Sequence, residues 1–211
     1  MSTLKPASWT YAEDFVPEPE AMEQARARGL AFDAASPVGT GAGATLRMLA
    51  AAIRAKHVIE VGTGAGTSGL WVLAGMPDDG VLTTIDISPE HQRAAREAYA
   101  GAGYPTQRTR VITGRATEVL PRMTDGAYDM VVIDADKASY PAYVEHGIRL
   151  LRSGGVLALD NMLWHDKVAD PAARDADTTT LRDLGKSLRD NDDLVPSLLP
   201  VSDGLFVAVK R

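Results

Sequence analysis

Short apolar runs alternate with helical segments from His57 onward, and this alternation restricts the fold more than any other feature. The runs are, in order, HVIEV, GVLTTID, TRVITG, YDMVVID and GGVLALD. Strands that alternate with helices form a mostly parallel sheet, and strands that are apolar throughout are covered by helices on both faces. The closing segment LVPSLLPVSDGLFVAVKR predicts two strands joined by the turn SDG, and strands joined by so short a turn are antiparallel.

The size and charge of the chain narrow the class of protein. Its 211 residues predict one domain, 1–211, with N-terminal helices in 1–55 and an α/β core in 56–211. The formal net charge of −6 disfavours a nucleic acid partner, and the absence of cysteine excludes disulfides and thiolate metal sites. No apolar run has the length of a membrane span, and the N-terminus does not resemble a signal peptide. We therefore expect a cytoplasmic enzyme or binding protein.

The first predicted strand leads into a glycine-rich loop, VIEVGTGAGTSG. Gly64, Gly66 and Gly69 match the pattern G-x-G-x-x-G between a strand and a helix, where open α/β sheets bind ligands. A tight turn that binds nothing fits the same pattern. Asp86 ends the second strand, where a carboxylate can accept hydrogen bonds from a ribose diol. Together these features predict a cofactor that contains a nucleoside.

Glu60 indicates which cofactor this is, because it lies two residues before the glycine loop. A carboxylate repels a pyrophosphate, whereas S-adenosylmethionine (SAM) has no phosphate and carries an ammonium and a sulfonium group. An acidic strand end therefore favours SAM. The alternative is that Glu60 only accepts hydrogen bonds from loop amides.

Two further strands are predicted to end in oxygen-bearing side chains. Asp134 ends the fourth strand, and Asp160 and Asn161 follow the fifth. Adjacent parallel strands end side by side, so these three oxygens suit a divalent cation, Mg²⁺ first and Ca²⁺ or Mn²⁺ as alternatives. A cation also explains how buried carboxylates are tolerated. Lys137, three residues after Asp134, is then favoured in its neutral form and can act as a general base.

Structural roles are also open to the residues around these strand ends. Asp136 and Ser139 are predicted as N-caps of the next helix. The string DN also fits a turn, and DADK also fits a salt-bridged loop. Tyr140 and Trp164 flank the predicted metal site and either belong to the core or wall an aromatic substrate. Among the four histidines, only His165 is expected to reach the site.

These segments, in this order, resemble the cation-dependent O-methyltransferases of the catechol and caffeoyl-CoA type. The resemblance covers residues 35–211 and rests on VIEVGTGAGTSGL, TTIDISPE, GRATEVLP, YDMVVIDADKASY, GGVLALDNMLW and LLPVSDGLFVAVK. It implies a Rossmann-like class I methyltransferase with a seven-stranded, mostly parallel sheet and an antiparallel last strand. It also implies a homodimer formed through the N-terminal helices.

The resemblance assigns roles to individual residues. It implies that SAM is bound by Val38, Glu60, Gly62, Thr63, Gly64, Ser68, Asp86, Ala116 and Asp134. It implies that Asp134, Asp160 and Asn161 bind the metal. Lys137 matches the lysine proposed as the base. Arg115 departs from the family pattern, since many members have an acidic or small residue beside the adenine.

The implied reaction is methyl transfer from SAM to one hydroxyl of a catechol-like small molecule. The metal chelates two adjacent hydroxyls of the substrate, and Lys137 removes a proton. An NAD(P)-dependent oxidoreductase is the first alternative, but it does not explain Asp134, Asp160 and Asn161. A non-catalytic SAM-binding protein is the second, and it leaves the metal and lysine set without a purpose.

Overall fold

Seven strands form one sheet at the centre of the structure, a computed structural model that describes residues 6–32 and 36–211. The strands are β1 (His57–Val61), β2 (Val81–Asp86), β3 (Thr109–Thr113), β4 (Tyr128–Ile133), β5 (Leu151–Leu159), β6 (Leu194–Leu199) and β7 (Leu205–Lys210). Their spatial order is β3-β2-β1-β4-β5-β7-β6. The sheet is parallel from β3 to β5, and β7 is antiparallel to both of its neighbours. This arrangement confirms the predicted sheet.

Eight α-helices accompany the sheet within the described ranges. Three precede it, namely α1 (Pro6–Glu13), α2 (Glu20–Gly29) and α3 (Thr40–Ala52). The others are α4 (Thr67–Gly75), α5 (Pro89–Gly101), α6 (Ala116–Val119), α7 (Tyr140–Leu150) and α8 (Ala176–Arg189). No helix in 6–32 or 36–211 combines the length and the apolar content that crossing a membrane requires.

The two faces of the sheet pack into two separate apolar clusters. Along β1, Val58 belongs to one cluster and Ile59 to the other, because successive side chains of a strand point to opposite faces. Met22 and Ala25 of α2 belong to the same cluster as Val58. The N-terminal helices therefore share a core with the sheet. The predicted domain organisation stays a prediction, and residues 1–5 and residue 35, where the resemblance begins, lie outside the described ranges.

The start of α7 corrects one prediction. Asp136 and Ser139 both precede helical turns, but neither side chain makes a capping hydrogen bond. A 3₁₀ turn, Lys137–Ser139, leads directly into α7, and the backbone of Ser139 is already helical. A capping residue normally has an extended backbone, so Ser139 is not arranged to cap the helix. Asp136 instead accepts a hydrogen bond from the Tyr143 hydroxyl at 2.7 Å.

The carboxyl ends of β1, β4 and β5 lie side by side at one edge of the sheet. β1 and β4 pair in register up to Val61 and Ile133, and β5 pairs with β4 up to Leu159. Beyond the strands, Asp134 N donates to Val61 O at 2.8 Å and Asp160 N donates to Ile133 O at 3.0 Å. Asp134 and Asp160 therefore leave the sheet as neighbours, as predicted.

Candidate active site

A cavity of about 870 Å³ opens at the carboxyl ends of the strands. The loops after β1, β2, β3, β4 and β5 and the segment 36–38 contribute to its wall. Ligands of open α/β sheets bind at this edge. Of the residues assigned from sequence, the lining includes Val38, Gly62, Thr63, Gly64, Ser68, Asp86, Ala116, Asp134, Lys137, Asn161 and Trp164. Glu60, Tyr140 and Asp160 are not part of it.

Two glycines shape the loop between β1 and α4. Gly62 has a φ of +92°, and a Cβ there would overlap the carbonyl oxygen of Asp134. Gly64 has a φ of +51°, and a Cβ there would meet nothing within 4 Å. Gly62 therefore allows β1 and β4 to approach each other, whereas Gly64 keeps the backbone open to the cavity.

The carboxylate of Asp86 joins the glycine loop to the end of β2. Its Oδ2 accepts hydrogen bonds from Thr63 N at 3.0 Å and Gly64 N at 3.1 Å, and its Oδ1 accepts one from Ser88 N at 2.9 Å. His91 Nδ1 lies 3.2 Å from Asp86 Oδ2. Asp86 thus fixes the loop and also lines the cavity.

His91 and Phe32 are two residues near Asp86 that the sequence analysis missed. His91 lines the cavity beside Asp86, and His165, the histidine expected to reach the predicted metal site, also lines the cavity. The His91 imidazole stacks on the Phe32 ring with 4.6 Å between the ring centroids. The available signal was the position of His91 in the first turn of α5, five residues after Asp86.

Glu60 lies behind the cavity wall and is fully buried. Its two carboxylate oxygens accept hydrogen bonds from Ser68 Oγ at 2.6 Å and Thr84 Oγ1 at 2.5 Å. Its partners are hydroxyls, not the loop amides of the alternative reading. Burial raises the pKa of Glu60 to about 7, against the effect of these two hydrogen bonds and with a smaller increase from the charges of Asp134 and Asp86.

Val38 is held against the cavity by side chains of the N-terminal region. Arg26 Nη2 donates to Val38 O at 2.6 Å, and the Arg26 guanidinium forms a bidentate ion pair with Glu18 at 2.6 and 2.7 Å. Trp71 Nε1 also donates to Glu18, at 3.2 Å. Arg26 and Glu18 had no sequence signal, because their meeting depends on how α2 packs.

Five predicted residues lie where β4 and β5 end. Lys137 Nζ donates to Asn161 Oδ1 at 2.8 Å, to the Tyr140 hydroxyl at 2.5 Å and to Asp134 Oδ1 at 3.4 Å. The Lys137 side chain is only 6% exposed. Asp160 is 2% exposed, and its Oδ1 has no hydrogen-bond partner among the described residues.

Burial dominates the electrostatics of these carboxylates. It raises the pKa of Asp160, and the nearby charge of Asp134 raises it further. Burial also raises the pKa of Asp134, against the lowering effect of the Lys137 ammonium. Asp160 is almost fully buried, whereas Asp134 lines the cavity and keeps 21% of its side chain exposed. A cation would stabilise both carboxylates in their charged form.

The oxygen donors fit a hard divalent cation. Two carboxylates and the amide oxygen of Asn161 are the ligand types that Mg²⁺ and Ca²⁺ bind. A cation would also satisfy the buried Oδ1 of Asp160. Within 6–32 and 36–211, no three His, Cys, Asp or Glu side chains form a metal-binding group. The third donor here would be an amide, and Lys137 Nζ lies among these oxygens.

The predicted aromatic walls differ in their positions. Trp164 lines the cavity, with its ring centroid 5.5 Å from Lys137 Nζ. Tyr140 is fully buried in the apolar cluster beneath, and its hydroxyl lies 3.1 Å from Asp160 O. Of the two roles left open for Tyr140, its burial favours the core. Tyr143, one helical turn later, lines the cavity instead.

Comparison with known proteins gives one consistent family. A family model described as O-methyltransferase matches residues 13–211. A Mycobacterium ulcerans protein, provisionally named an O-methyltransferase, is 47% identical over 205 residues, which are 95% of this chain and 89% of that protein. The O-methyltransferase TomG of Streptomyces achromogenes, involved in tomaymycin synthesis and solved with SAM, aligns over 99% of both chains with 27% identity and a TM-score of 0.86.

A second solved structure agrees with the first. The O-methyltransferase of Bacillus cereus, solved with SAH, aligns over 97% of each chain with 26% identity and a TM-score of 0.85. The sheet and the cavity at its strand ends are those of a Rossmann-like class I methyltransferase. The chain belongs to the O-methyltransferase family and is a SAM-dependent enzyme. The predicted family, enzyme class and organic cofactor are confirmed, and the oxidoreductase alternative is set aside.

Proposed function

We propose that this enzyme methylates one hydroxyl of a catechol-like small molecule with the help of a divalent cation, Mg²⁺ being the first candidate. The observation that carries the proposal is that Asp134 and Asn161 meet at Lys137 in a cavity that also contains the glycine loop. The neighbouring Asp160 is buried, with one carboxylate oxygen that has no partner among the described residues. A methyltransferase that only needs to hold SAM has no use for a buried carboxylate oxygen without a partner.

The cofactor end is assigned to the residues around the glycine loop. When bound, SAM supplies an electrophilic methyl group on its sulfonium. Asp86 is proposed to accept hydrogen bonds from the ribose, since this carboxylate lines the cavity. Ser68, Val38, Ala116 and the backbone from Gly62 to Gly64 line the same cavity. Glu60 is proposed to act through Ser68, which it holds with a 2.6 Å hydrogen bond.

The acceptor end is assigned to the metal ligands and Lys137. When bound, a divalent cation supplies Lewis acidity that makes an acceptor hydroxyl more acidic. Lys137 Nζ is proposed to take the hydroxyl proton, and its bonds to Asn161 and Tyr140 fix its position. Trp164 and Tyr143 are proposed to orient an aromatic ring and to exclude water from the cavity.

The exposed aromatic residues of the N-terminal region support a homodimer. No residue of α1 is buried. Trp9 is 56% exposed, Tyr11 70% and Phe15 68%. The rings of Tyr11 and Phe15 lie 5.9 Å apart and form an exposed apolar patch, which is typical of an interaction site. We therefore propose that α1 faces a second copy of this chain. Sedimentation of Trp9→Asp should yield monomers, and an unchanged dimer would contradict this part of the proposal.

A substrate series tests the proposed acceptor. A catechol, its two monohydroxy analogues and an isolated alcohol would be offered with SAM and Mg²⁺, and the methylated products would be identified by mass spectrometry. Only the vicinal diol should turn over efficiently, because two neighbouring oxygens are needed for chelation. Equal turnover of monophenol and catechol would overturn the proposal, while leaving the SAM-dependent methyltransferase class intact.

A further inference from the structure

The turn between β6 and β7 is bonded to the loop that follows β5. We call residues 201–204 the SDG turn and residues 161–166 the acceptor loop. Met162 N donates to Gly204 O at 2.8 Å, and Leu163 N donates to Asp203 O at 2.9 Å. His165 N donates to Asp203 Oδ1 at 2.6 Å. The SDG turn therefore accepts hydrogen bonds from three backbone amides of the acceptor loop, two at carbonyl oxygens and one at the Asp203 carboxylate.

The acceptor loop has an unusual backbone. Asn161, Trp164, His165 and Asp166 have φ values of 58°, 49°, 56° and 63°. Positive φ is uncommon for residues other than glycine, above all for bulky ones. The described part of the chain contains two further such residues, Arg54 and Ser202, and Ser202 lies in the SDG turn. Such conformations persist only where the surroundings hold them.

Asp203 holds this backbone without belonging to the cavity wall. Its side chain is 20% exposed, and it is not among the lining residues. Its Oδ1 binds His165 N, and its Oδ2 lies 3.6 Å from His165 Nδ1. The loop that it holds contributes Asn161, Trp164 and His165 to the cavity. Asp203 can therefore act on the reaction through the acceptor loop. Its charge also adds a small increase to the pKa of Asp160, so Asp203→Asn, which removes the charge and keeps the oxygen that His165 N needs, separates the two routes.

The other side of the SDG turn is braced by the end of α1. Ser202 N donates to Glu13 Oε2 at 3.0 Å, and Ser202 Oγ donates to Glu13 Oε1 at 2.6 Å. Glu13 Oε1 also accepts a hydrogen bond from Gly41 N at 2.8 Å, in the first turn of α3. A continuous set of hydrogen bonds thus runs from Glu13 through Ser202 and Asp203 to His165.

We propose that Asp203 is a positioning residue for the methyl acceptor, and that Glu13 supports it from behind. Asp203 holds the acceptor loop in its left-handed conformation and thereby sets the positions of Asn161 and Trp164. The inference rests on the proposed function in one respect, that the acceptor binds at Asn161 and Trp164. SAM binds at the glycine loop and should not depend on Asp203.

Substitution of Asp203 in the full-length chain tests this inference. In Asp203→Ala, kcat/KM for a catechol should fall by up to about 10²-fold, the loss that a displacement of about 1 Å can cause. The Kd of SAM should stay within about twofold, because SAM uses other residues. Asp203→Asn keeps an oxygen that can accept from His165 N, so it should retain most of the activity. The kcat/KM of Glu13→Gln should lie between the values for Asp203→Asn and Asp203→Ala.

Limited proteolysis gives a readout that needs no turnover. Lys167 directly follows the acceptor loop, and its side chain is 48% exposed. Trypsin should cleave after Lys167 faster in Asp203→Ala than in the wild type. Asp170→Ala is the matched control, because the Asp170 carboxylate accepts one hydrogen bond, from Ala172 N, and its backbone carbonyl bonds are kept in the variant. It should leave both kcat/KM and the cleavage rate unchanged.

The outcomes separate this inference from the proposed function. Unchanged cleavage after Lys167 in both Asp203→Ala and Glu13→Gln would overturn the positioning role, as would a loss of activity that follows the Kd of SAM. If the wild type methylates no catechol while Asp203→Ala still exposes Lys167, the proposed acceptor is wrong and the role of Asp203 in holding the loop stands.

Discussion

The two ends of the cavity are built in different ways. At the cofactor end, loop amides are fixed by one carboxylate, Asp86, and the buried acid Glu60 has only hydroxyl partners. At the acceptor end, Lys137 donates hydrogen bonds to Asp134 and Asn161, and the buried carboxylate of Asp160 has an oxygen without a partner among the described residues. The cofactor end relies on backbone geometry, whereas the acceptor end relies on individual charged side chains. Single substitutions should therefore be most damaging at the acceptor end.

The largest effect is expected for Asp160→Asn. Loss of this carboxylate should reduce turnover to the level of the chelated enzyme, because the proposed metal loses a charged ligand. The melting temperature at pH 8 should stay the same or rise, since the substitution removes a buried carboxylate whose pKa is raised by burial and by Asp134. Turnover and thermal unfolding measured on one preparation check both statements. A fall in melting temperature together with activity would indicate a structural role instead.

Lys137→Ala should lower kcat by roughly 10²–10⁴-fold, the usual contribution of a general base. The Kd of SAM should change little. Lys137→Arg separates the base from a purely electrostatic role, because arginine keeps the charge and does not accept a proton at neutral pH. Single-turnover rates of both variants on a catechol decide the question. An arginine variant with wild-type kcat would remove the base role.

Glu60→Gln tests the buried acid of the cofactor end through stability. The pKa of Glu60 is about 7 in the folded chain against an ordinary value of 4.5. The folded state therefore binds the Glu60 proton more tightly than the unfolded state does. As pH rises from 4.5 to 7, the contribution of Glu60 to the free energy of unfolding falls by about 3 kcal/mol. Glu60→Gln removes this loss. In urea unfolding, the free energy of unfolding of Glu60→Gln relative to the wild type should be higher at pH 8 than at pH 5. An equal difference at both pH values would contradict the raised pKa of Glu60.

The smallest effect is expected for Asp86→Ala. The variant should bind SAM roughly 10- to 100-fold more weakly, because a hydrogen bond to a charged group contributes about 1.5–3 kcal/mol. The KM of the acceptor should change little. Calorimetric titration with SAM checks the first statement and initial rates check the second. A larger effect on acceptor KM than on the Kd of SAM would break the division between the two ends.

The sequence predicted the features that depend on local pattern. Apolar runs gave the strands, and the ends of β4 and β5 brought Asp134 and Asp160 together because neighbouring parallel strands share an edge. The phase of a helix was harder to predict. Tyr140 points into the core and Tyr143 lines the cavity, and a pattern of single residues near a helix start does not distinguish the two.

Contacts between segments that are distant in the sequence could not be predicted from local pattern. The stacking of Phe32 on His91 and the hold of Asp203 on His165 depend on tertiary packing that brings remote segments together. Glu60 is intermediate, because the sequence predicted its place in β1 but not its burial behind the cavity wall. Its hydroxyl partners, Ser68 and Thr84, lie on the helix and strand that pack against β1.

Chelator titration with two readouts on one sample tests the division of the cavity most directly. Turnover of a catechol and the Kd of SAM would be measured as EDTA increases, and Mg²⁺ would then be restored. Turnover should fall to background and recover with Mg²⁺, while the Kd of SAM stays constant, because Asp160 and Asn161 serve only the acceptor end. Full turnover in excess EDTA would contradict the proposed metal, and a parallel loss of SAM binding would contradict the separation of the two ends.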